Sequence, residues 1–184
     1  MLESKQTPLI SAATEADIDG IESLLAPNVK KQLVLARSKE DILSHLGNFL
    51  VARDDGRLVG CAALRGFGEG LYEIRSLSVD AAFMGHGIGT RLVEACLEKA
   101  VAQDGNLVFT LTLRPNLFRR LGFTEVPIKT FHRDDKFREK IWADCRQCPK
   151  FDACNEIALG KSLKPQASSL KQTTGVAKSL KPKA

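Results

Sequence analysis

The sequence predicts an α/β domain in which short strands alternate with amphipathic helices. Apolar runs with a period of two are separated by runs whose apolar residues recur with helical spacing. Over residues 71–100, a strand, a loop with three glycines and a helix follow one another directly. Of the 184 residues, 43% are apolar, which is enough for one domain with a sizeable core.

The first two helices are predicted from their capping residues. Thr14 with Asp17 forms a capping arrangement, and Ser38 with Asp41 repeats it. Apolar residues with helical spacing follow both signals. We therefore expect one helix that ends near Ala26 and a second that begins after Ser38.

Strands are predicted where short apolar runs are bounded by turn residues. The runs at 49–53 and 58–64 flank the sequence Asp-Asp-Gly-Arg, which is typical of a hairpin turn. The other predicted elements are a strand over 8–12, a strand over 71–79, the helix after the glycine loop, a strand over 107–113, a short helix over 115–121, a strand that follows Gly122 and a strand over 156–159.

The glycine loop is the first candidate binding segment. Gly85, Gly87 and Gly89 leave backbone N–H groups accessible, and the next helix brings the positive end of its dipole there. Such a loop can bind a phosphate, and the alternative is a tight turn. The G-x-G-x-G spacing differs from the dinucleotide fingerprint, and no Gly-Lys-Ser/Thr follows, so neither common nucleotide loop fits.

Charge predicts a basic tail, and hydropathy argues against a membrane-spanning or secreted protein. Residues 161–184 hold six lysines and no acid, so the net charge of +5 comes from this segment. We predict a disordered Lys-rich tail over 160–184, and the alternative is a tail that binds nucleic acid or anionic lipid. The sequence contains no apolar run of membrane-spanning length, and no signal-peptide core follows Met1, so we expect a cytoplasmic protein.

The glycine loop resembles the pyrophosphate loop R/Q-x-x-G-x-G/A of the GNAT acetyltransferases. Residues 84–89 match at Gly87 and Gly89 and depart from the motif at Met84. The order of predicted elements is also similar to this family over residues 8–159. The resemblance implies one GNAT domain with a mixed, mostly antiparallel sheet flanked by helices, and acetyl-CoA as co-substrate.

Four further segments are similar to the short, stand-alone N-acetylglutamate synthases of arginine biosynthesis. They are E-I-R-S-L-S-V at 73–79, the run L-V-L-A-R-S that ends at Ser38, the R-P-x-x-F-x-R-L-G-F pattern at 114–123, and the cysteine-rich run at 140–158. This resemblance implies transfer of an acetyl group from acetyl-CoA to the α-amino group of L-glutamate.

Acetyl transfer needs a base for the ammonium proton and donors that polarise the thioester carbonyl. The resemblance implies Glu73 as the base and the N–H groups of residues 77–79 as the donors. Phe118 stands where many family members carry a Tyr acid, so we expect the thiolate to leave unaided. The residues expected to bind acetyl-CoA are Leu77, Ser78, Val79, Met84, Gly85, His86, Gly87, Ile88, Gly89 and Thr90.

A substrate with two carboxylates needs cationic partners. Arg75 is the first candidate, because alternate residues of a strand share a face and Arg75 therefore lies beside Glu73. Its guanidinium can bind a carboxylate in a bidentate fork. Arg37 and Arg114 are the next candidates. The alternative interpretation is a surface ion pair of Glu73 with Arg75 and solvated charges elsewhere.

Several functions remain open from the sequence. The first hypothesis is synthesis of N-acetyl-L-glutamate, the first step of arginine biosynthesis. The alternatives are acetylation of glutamine or another amine, a non-catalytic acyl-CoA-binding protein, and a module that binds nucleic acid or a partner through its Lys-rich tail. We expect no nucleic-acid partner and no membrane, and the choice between a monomer and a homodimer is left open.

The five cysteines form two groups. Cys61 and Cys96 are predicted to be core residues. The other three are spaced C-x2-C-x5-C, which falls one ligand short of a zinc site, and His132 is the nearby histidine that could complete it. We predict no metal and a structural role, with Trp142 as the anchor of the segment; the three cysteines are Cys145, Cys148 and Cys154.

Overall fold

A seven-stranded sheet runs through the computed structural model, which describes residues 8–127, 135–149 and 151–164. Its strands lie in the order β1-β2-β3-β4-β5-β7-β6. Only β4 and β5 are parallel, which confirms the mixed, mostly antiparallel sheet. The strands are β1 Leu9–Ala12, β2 Phe49–Asp54, β3 Arg57–Gly68, β4 Leu71–Val79, β5 Leu107–Thr112, β6 Thr124–Glu125 and β7 Ile157–Ser162.

Five α-helices accompany the sheet in the same described residues. They are α1 Ile18–Lys30, α2 Lys39–Ser44, α3 Ile88–Ala102, α4 Asn116–Arg120 and α5 Asp135–Cys145. Both predicted caps are present: the Thr14 amide donates to the Asp17 carboxylate at 2.7 Å, and the Asp41 amide donates to Ser38 Oγ at 3.2 Å. The capping arrangement opens a 3-10 turn over Glu15–Asp17, which leads into α1.

Two predicted boundaries and one missing element need correction. The first helix does not end near Ala26 but continues through Pro27, whose carbonyl accepts a hydrogen bond from the Lys31 amide. The last strand continues to Ser162, three residues into the predicted tail, because β7 pairs with β5 along its whole length. The sequence patterns predicted no helix at α5. The rest of the tail, from residue 165, lies outside the described residues.

Apolar residues cover both faces of the sheet. On one face, Leu92 and Val93 of α3 pack with Leu64 of β3 and Ile74 of β4. On the other face, the buried residues of α1 and α2 pack with alternate residues of β2 and β3; these are Ile21, Leu25, Ile42, Phe49, Val51, Cys61 and Ala63. Burying one such side chain contributes about 1.5–3 kcal/mol. Because alternate residues of β2 and β3 point to the same face, their apolar side chains determine where α1 and α2 pack.

The two predicted core cysteines are confirmed. Cys61 lies in β3 and Cys96 in α3, and both side chains are fully buried. Burial raises the pKa of both thiols to about 12, so neither is a thiolate at neutral pH.

A bulge in β4 shapes the centre of the sheet. Cys61 pairs with Ser78 and Ala63 pairs with Arg75, so two residues of β4 lie opposite one residue of β3. The extra residue is Ser76, whose φ of +53° is left-handed. A bulge bends its strand. The ladder between β4 and β5 accordingly covers only Leu71–Glu73, and the two strands diverge beyond it.

Within the described residues, none of the helices combines the length and the apolar character that crossing a bilayer requires.

Candidate active site

A cleft of about 500 Å³ opens where β4 and β5 diverge. It is lined by the second half of β4, the glycine loop, the C-terminal end of β5 and α4. The predicted site residues that line it are Arg75, Leu77, Ser78, Val79, Met84, Gly85, Gly87, Ile88, Gly89, Thr90 and Arg114. His86 is exposed and is not among the lining residues of the cleft.

The glycine loop presents the N-terminus of α3 to this cleft. Gly85 and Gly87 have φ angles of +82° and +76°, which L side chains rarely adopt. A Cβ atom at either position would meet nothing within 4 Å, so conformation, and not crowding, requires glycine there. The fifteen-residue helix α3 begins at Ile88. Its first N–H groups and its dipole make the loop suited to an anion.

A smaller cavity of about 70 Å³, the side cavity, adjoins the cleft. Arg75 and Ser76 line both the cleft and the side cavity, so the bulge in β4 lies between them. The other residues that line the side cavity are Arg37, Asp41, His45, Asn48, Phe49, Ala63, Arg65 and Asp144. Its walls therefore carry three arginines and two aspartates.

Three arginines converge on one carboxylate oxygen beside the side cavity. Asp144 Oδ2 lies 2.5 Å from Arg75 Nη1, 2.6 Å from Arg65 Nη1 and 3.3 Å from Arg37 Nη2. We call these four residues the arginine cluster. Burial alone would raise the pKa of Asp144, but the three guanidinium groups outweigh it and lower that pKa below its usual value. Asp144 is therefore ionised at neutral pH.

Glu73 lies against this cluster. Its Oε2 is 3.6 Å from Arg75 Nη1, and it pairs with Arg65 across the β3–β4 ladder. Glu73 is only 7% exposed and the Arg75 side chain 14%, so the pair is not a solvated surface ion pair. Burial raises the pKa of Glu73, and the nearby arginines only partly oppose this. A raised pKa makes a carboxylate a stronger base.

The structure brings together two of the three predicted carboxylate partners. Arg37 and Arg75 both belong to the arginine cluster, and Arg37 also contacts Asp41 at 3.2 Å. Arg114 lines the cleft but not the side cavity, because β5 has already diverged from β4 where it follows Thr112. Arg114 therefore lies apart from the other two arginines, and its role as a carboxylate partner stays a prediction.

Sequence reasoning missed Arg65 and Asp144. Arg65 lies one residue beyond the predicted strand over 58–64, and its position opposite Glu73 comes from the β3–β4 ladder, which was not predicted. Asp144 had no local signal: it is 107 residues from Arg37 and 79 from Arg65, so only tertiary folding brings it into contact.

The first cysteine of the cysteine-rich segment lies beside the arginine cluster. Cys145 directly follows Asp144 at the end of α5 and is half-buried, Cys148 is also half-buried, and Cys154 is exposed. Burial raises the pKa of Cys145 to about 11. The described residues contain no group of three or more His, Cys, Asp or Glu side chains that could hold a metal ion. His132 and the side chain of Trp142 lie outside the description.

Changing Cys145, Cys148 and Cys154 together to Ser should lower the melting temperature and leave kcat unchanged, because the acetyl transfer that the sequence resemblance implies has no step that needs a thiol. Cys96→Ser is the matched control, since Cys96 is fully buried in α3 and its change should destabilise the protein more. Thermal unfolding and an activity assay measure both effects. A triple variant that is stable but inactive would assign a thiol to the reaction.

Comparison with known proteins agrees with this architecture. Residues 45–125 match the acetyltransferase (GNAT) domain family. The chain is 39% identical over 149 residues to an uncharacterised N-acetyltransferase of Chlorobaculum tepidum. That alignment covers 80% of this chain and 92% of the relative. It is 36% identical over 124 residues to an amino-acid acetyltransferase of Mycobacterium tuberculosis, covering 65% of this chain and 70% of the relative.

Solved structures share the fold over most of the chain. A Mycobacterium tuberculosis protein in complex with CoA superimposes with a TM-score of 0.72 at 26% identity, covering 85% of this chain and 100% of that one. The N-acetylglutamate synthase of Neisseria gonorrhoeae, complexed with coenzyme A and N-acetyl-glutamate, gives 0.74 at 27% identity. This match covers 88% of our chain but 36% of the synthase, so the chain spans about a third of that enzyme. The family match, the Chlorobaculum tepidum relative aligned over 92% of its length and the shared fold agree: the chain belongs to the GNAT acetyltransferases.

Proposed function

We propose that the protein transfers the acetyl group of acetyl-CoA to the α-amino group of L-glutamate, giving N-acetyl-L-glutamate and CoA. One observation carries the proposal: three arginines converge beside the side cavity, and one of them, Arg75, also lines the cleft and contacts the buried carboxylate of Glu73. Glu73 itself is not among the lining residues of either space, so Arg75 is its link to both. A base and several cations are what an amino dicarboxylate requires. The similarity to an amino-acid acetyltransferase and to an N-acetylglutamate synthase supports the same reaction and a role in arginine biosynthesis.

The cleft fits acetyl-CoA, which supplies the acetyl group as a thioester. The N–H groups of the glycine loop and the dipole of α3 suit its pyrophosphate. The stretch of β4 from 77 to 79 borders the cleft beyond the end of the β4–β5 ladder, so its backbone is available for the pantetheine arm and the thioester carbonyl. Leu117 and Phe118 of α4 contribute apolar surface. The lining of the cleft supports these assignments, because it combines donors for an anion with an apolar wall.

Glu73 is the proposed base. It would take the proton of the acceptor's ammonium group, directly or through a water molecule, because only the neutral amine is nucleophilic. Phe118 is buried, and the sole Tyr of the sequence, Tyr72, donates its hydroxyl to the Gln103 carbonyl at 3.0 Å. A Tyr acid is therefore not proposed, and the thiolate of CoA leaves unaided, since a thiol pKa of ~8.5 makes it an adequate leaving group.

The arginine cluster is proposed to bind the carboxylates of the acceptor. Arg75 is the member of the cluster that contacts Glu73, so a carboxylate held by Arg75 would keep the amino group near the base. An amide side chain, as in glutamine, gains less from three guanidinium groups than a carboxylate does. This charge argument favours glutamate over glutamine as the acceptor.

The proposed reaction is tested by release of CoA from acetyl-CoA with a panel of amino acids and amines. Glutamate should give the highest kcat/KM, and glutamine should give a value at least tenfold lower. Mass spectrometry should identify N-acetylglutamate as the product. CoA release that is faster with a polyamine or with a neutral amino acid would contradict glutamate as the substrate.

Gly87→Asp should weaken acetyl-CoA binding by more than tenfold, because it brings a negative charge to the pyrophosphate loop. Gly87→Asn is the matched control: it has the same shape and the same strain at a φ of +76°, but no charge. Calorimetry with acetyl-CoA should separate the two variants. If both bind equally well, the loop does not hold the pyrophosphate.

A further inference from the structure

The anion at the centre of the arginine cluster belongs to the protein itself. All three arginines contact the same atom, Asp144 Oδ2, at 2.5–3.3 Å. The Asp144 side chain is 16% exposed, so these contacts are only weakly screened by water. A substrate carboxylate that approached the cluster would meet guanidinium groups that already have an anionic partner.

The remaining space is small. The side cavity of about 70 Å³ has room for a few water molecules, whereas a glutamate side chain needs more. Arg75 also has an unused donor: its buried Nε has no hydrogen-bond partner within the described part of the chain. A buried donor without a partner is costly, and a carboxylate ligand in a bidentate fork would satisfy it. Asp144 supplies only part of what the cluster can bind.

Asp144 can leave this position without unfolding its helix. Ile141, one turn earlier in α5, is buried and packs with Phe67, Phe109 and Ala158. That apolar contact holds α5 beside the sheet independently of the ion pairs. A change of the Asp144 side-chain rotamer, at the last turn of α5, would therefore release the arginines while the helix stays in place.

We propose that Asp144 is a specificity-determining residue that acts as an internal competitor: its carboxylate occupies the position of an acceptor carboxylate and must be displaced by it. The inference rests on the proposed function. The side-chain carboxylate of an incoming dicarboxylate replaces Asp144 charge for charge, whereas a neutral side chain in the same place would leave three guanidinium groups without their anion. Asp144 thus lowers the affinity of the site for every acceptor. A dicarboxylate compensates for the lost ion pairs with its own, and a neutral amino acid does not.

The opposite role, a support that orients the arginines for the substrate, predicts the opposite effect. If Asp144 competes, Asp144→Asn tightens the binding of dicarboxylates. If Asp144 supports, the same change weakens it. Asp41→Asn is the matched control, because it removes the same charge from a residue that contacts Arg37 alone of the three arginines at 3.2 Å.

Calorimetry with glutarate, a dicarboxylate without an amino group, measures this directly and does not depend on turnover. We expect the Kd of glutarate to fall at least tenfold in Asp144→Asn and to change less than threefold in Asp41→Asn. The KM for glutamate and for glutamine should both fall in Asp144→Asn, because neither acceptor then competes with the Asp144 carboxylate. An unchanged or higher Kd for glutarate in Asp144→Asn would overturn the proposal.

Hydrogen exchange of the wild-type protein provides a test that needs no variant, in case Asp144→Asn does not fold. Displacement of Asp144 removes its ion pairs from the last turn of α5, so glutarate should speed amide exchange over residues 141–145. Slower exchange there would overturn the proposal. Failure of the wild type to acetylate glutamate, with both glutarate results as expected, would refute the proposed reaction and leave the role of Asp144 standing.

Discussion

Glu73→Gln should lower kcat by about 10²–10⁴-fold at neutral pH, the contribution that a positioned base typically makes. The amide keeps the shape of the side chain and cannot accept the proton. The loss should be largest at neutral pH and smaller at high pH, where free amine is abundant. Steady-state kinetics across pH measure both effects, and a variant with wild-type kcat at every pH would exclude Glu73 as the base.

The same substitution should stabilise the protein, which separates loss of the base from misfolding. Burial raises the pKa of Glu73 above its ordinary value of 4.5. A carboxyl group with a raised pKa favours folding below its unfolded-state pKa and loses that contribution as the pH rises through the folded-state pKa. At pH 7 the ionised Glu73 therefore costs folding free energy, and Glu73→Gln should melt at a higher temperature than the wild type. A lower melting temperature would indicate that the variant loses activity because its structure is destabilised.

Arg75→Ala should raise the KM for glutamate about 10- to 100-fold, since a hydrogen bond to a charged group contributes about 1.5–3 kcal/mol. The KM for acetyl-CoA should change much less, because the glycine loop is untouched. Arg114→Ala is the matched control: Arg114 lines the cleft but not the side cavity, so its KM for glutamate should stay within threefold. Equal effects of the two variants on glutamate would place its carboxylates outside the arginine cluster.

Most of the fold could be predicted because its signals are local. Two capping pairs, one hairpin turn and the strand–glycine loop–helix unit set the order of the elements, and the sheet alternation gave the core. Pro27 misled the prediction of α1, because tertiary packing of Ile21 and Leu25 outweighs the local cost of a proline. The short helix α5 has a weakly apolar sequence and gave no periodic signal.

The candidate site was predictable only where its residues lie on one strand. Glu73 and Arg75 share a face of β4, and the period of two brings them together. Arg37, Arg65 and Asp144 come from three distant segments, and their meeting depends on how the residues before α2, strand β3 and helix α5 pack around the bulge. No spacing rule in a sequence encodes such a meeting. Arg114 lies apart from the other two predicted arginines because β4 and β5 diverge beyond Glu73, and the sequence carries no signal of that divergence.

The bulge in β4 has a thermodynamic consequence for the two proposed substrates. Arg75 and Ser76 line both the cleft and the side cavity, so a shift of either residue changes both sites. Binding free energies at two such sites are reciprocal: the factor by which acetyl-CoA alters the affinity for glutamate equals the factor by which glutamate alters the affinity for acetyl-CoA. Ser76 has a left-handed backbone between the two sites. A substitution of Ser76 that relaxed the bulge would therefore change the coupling between acetyl-CoA and glutamate, even if each ligand alone bound as tightly as before.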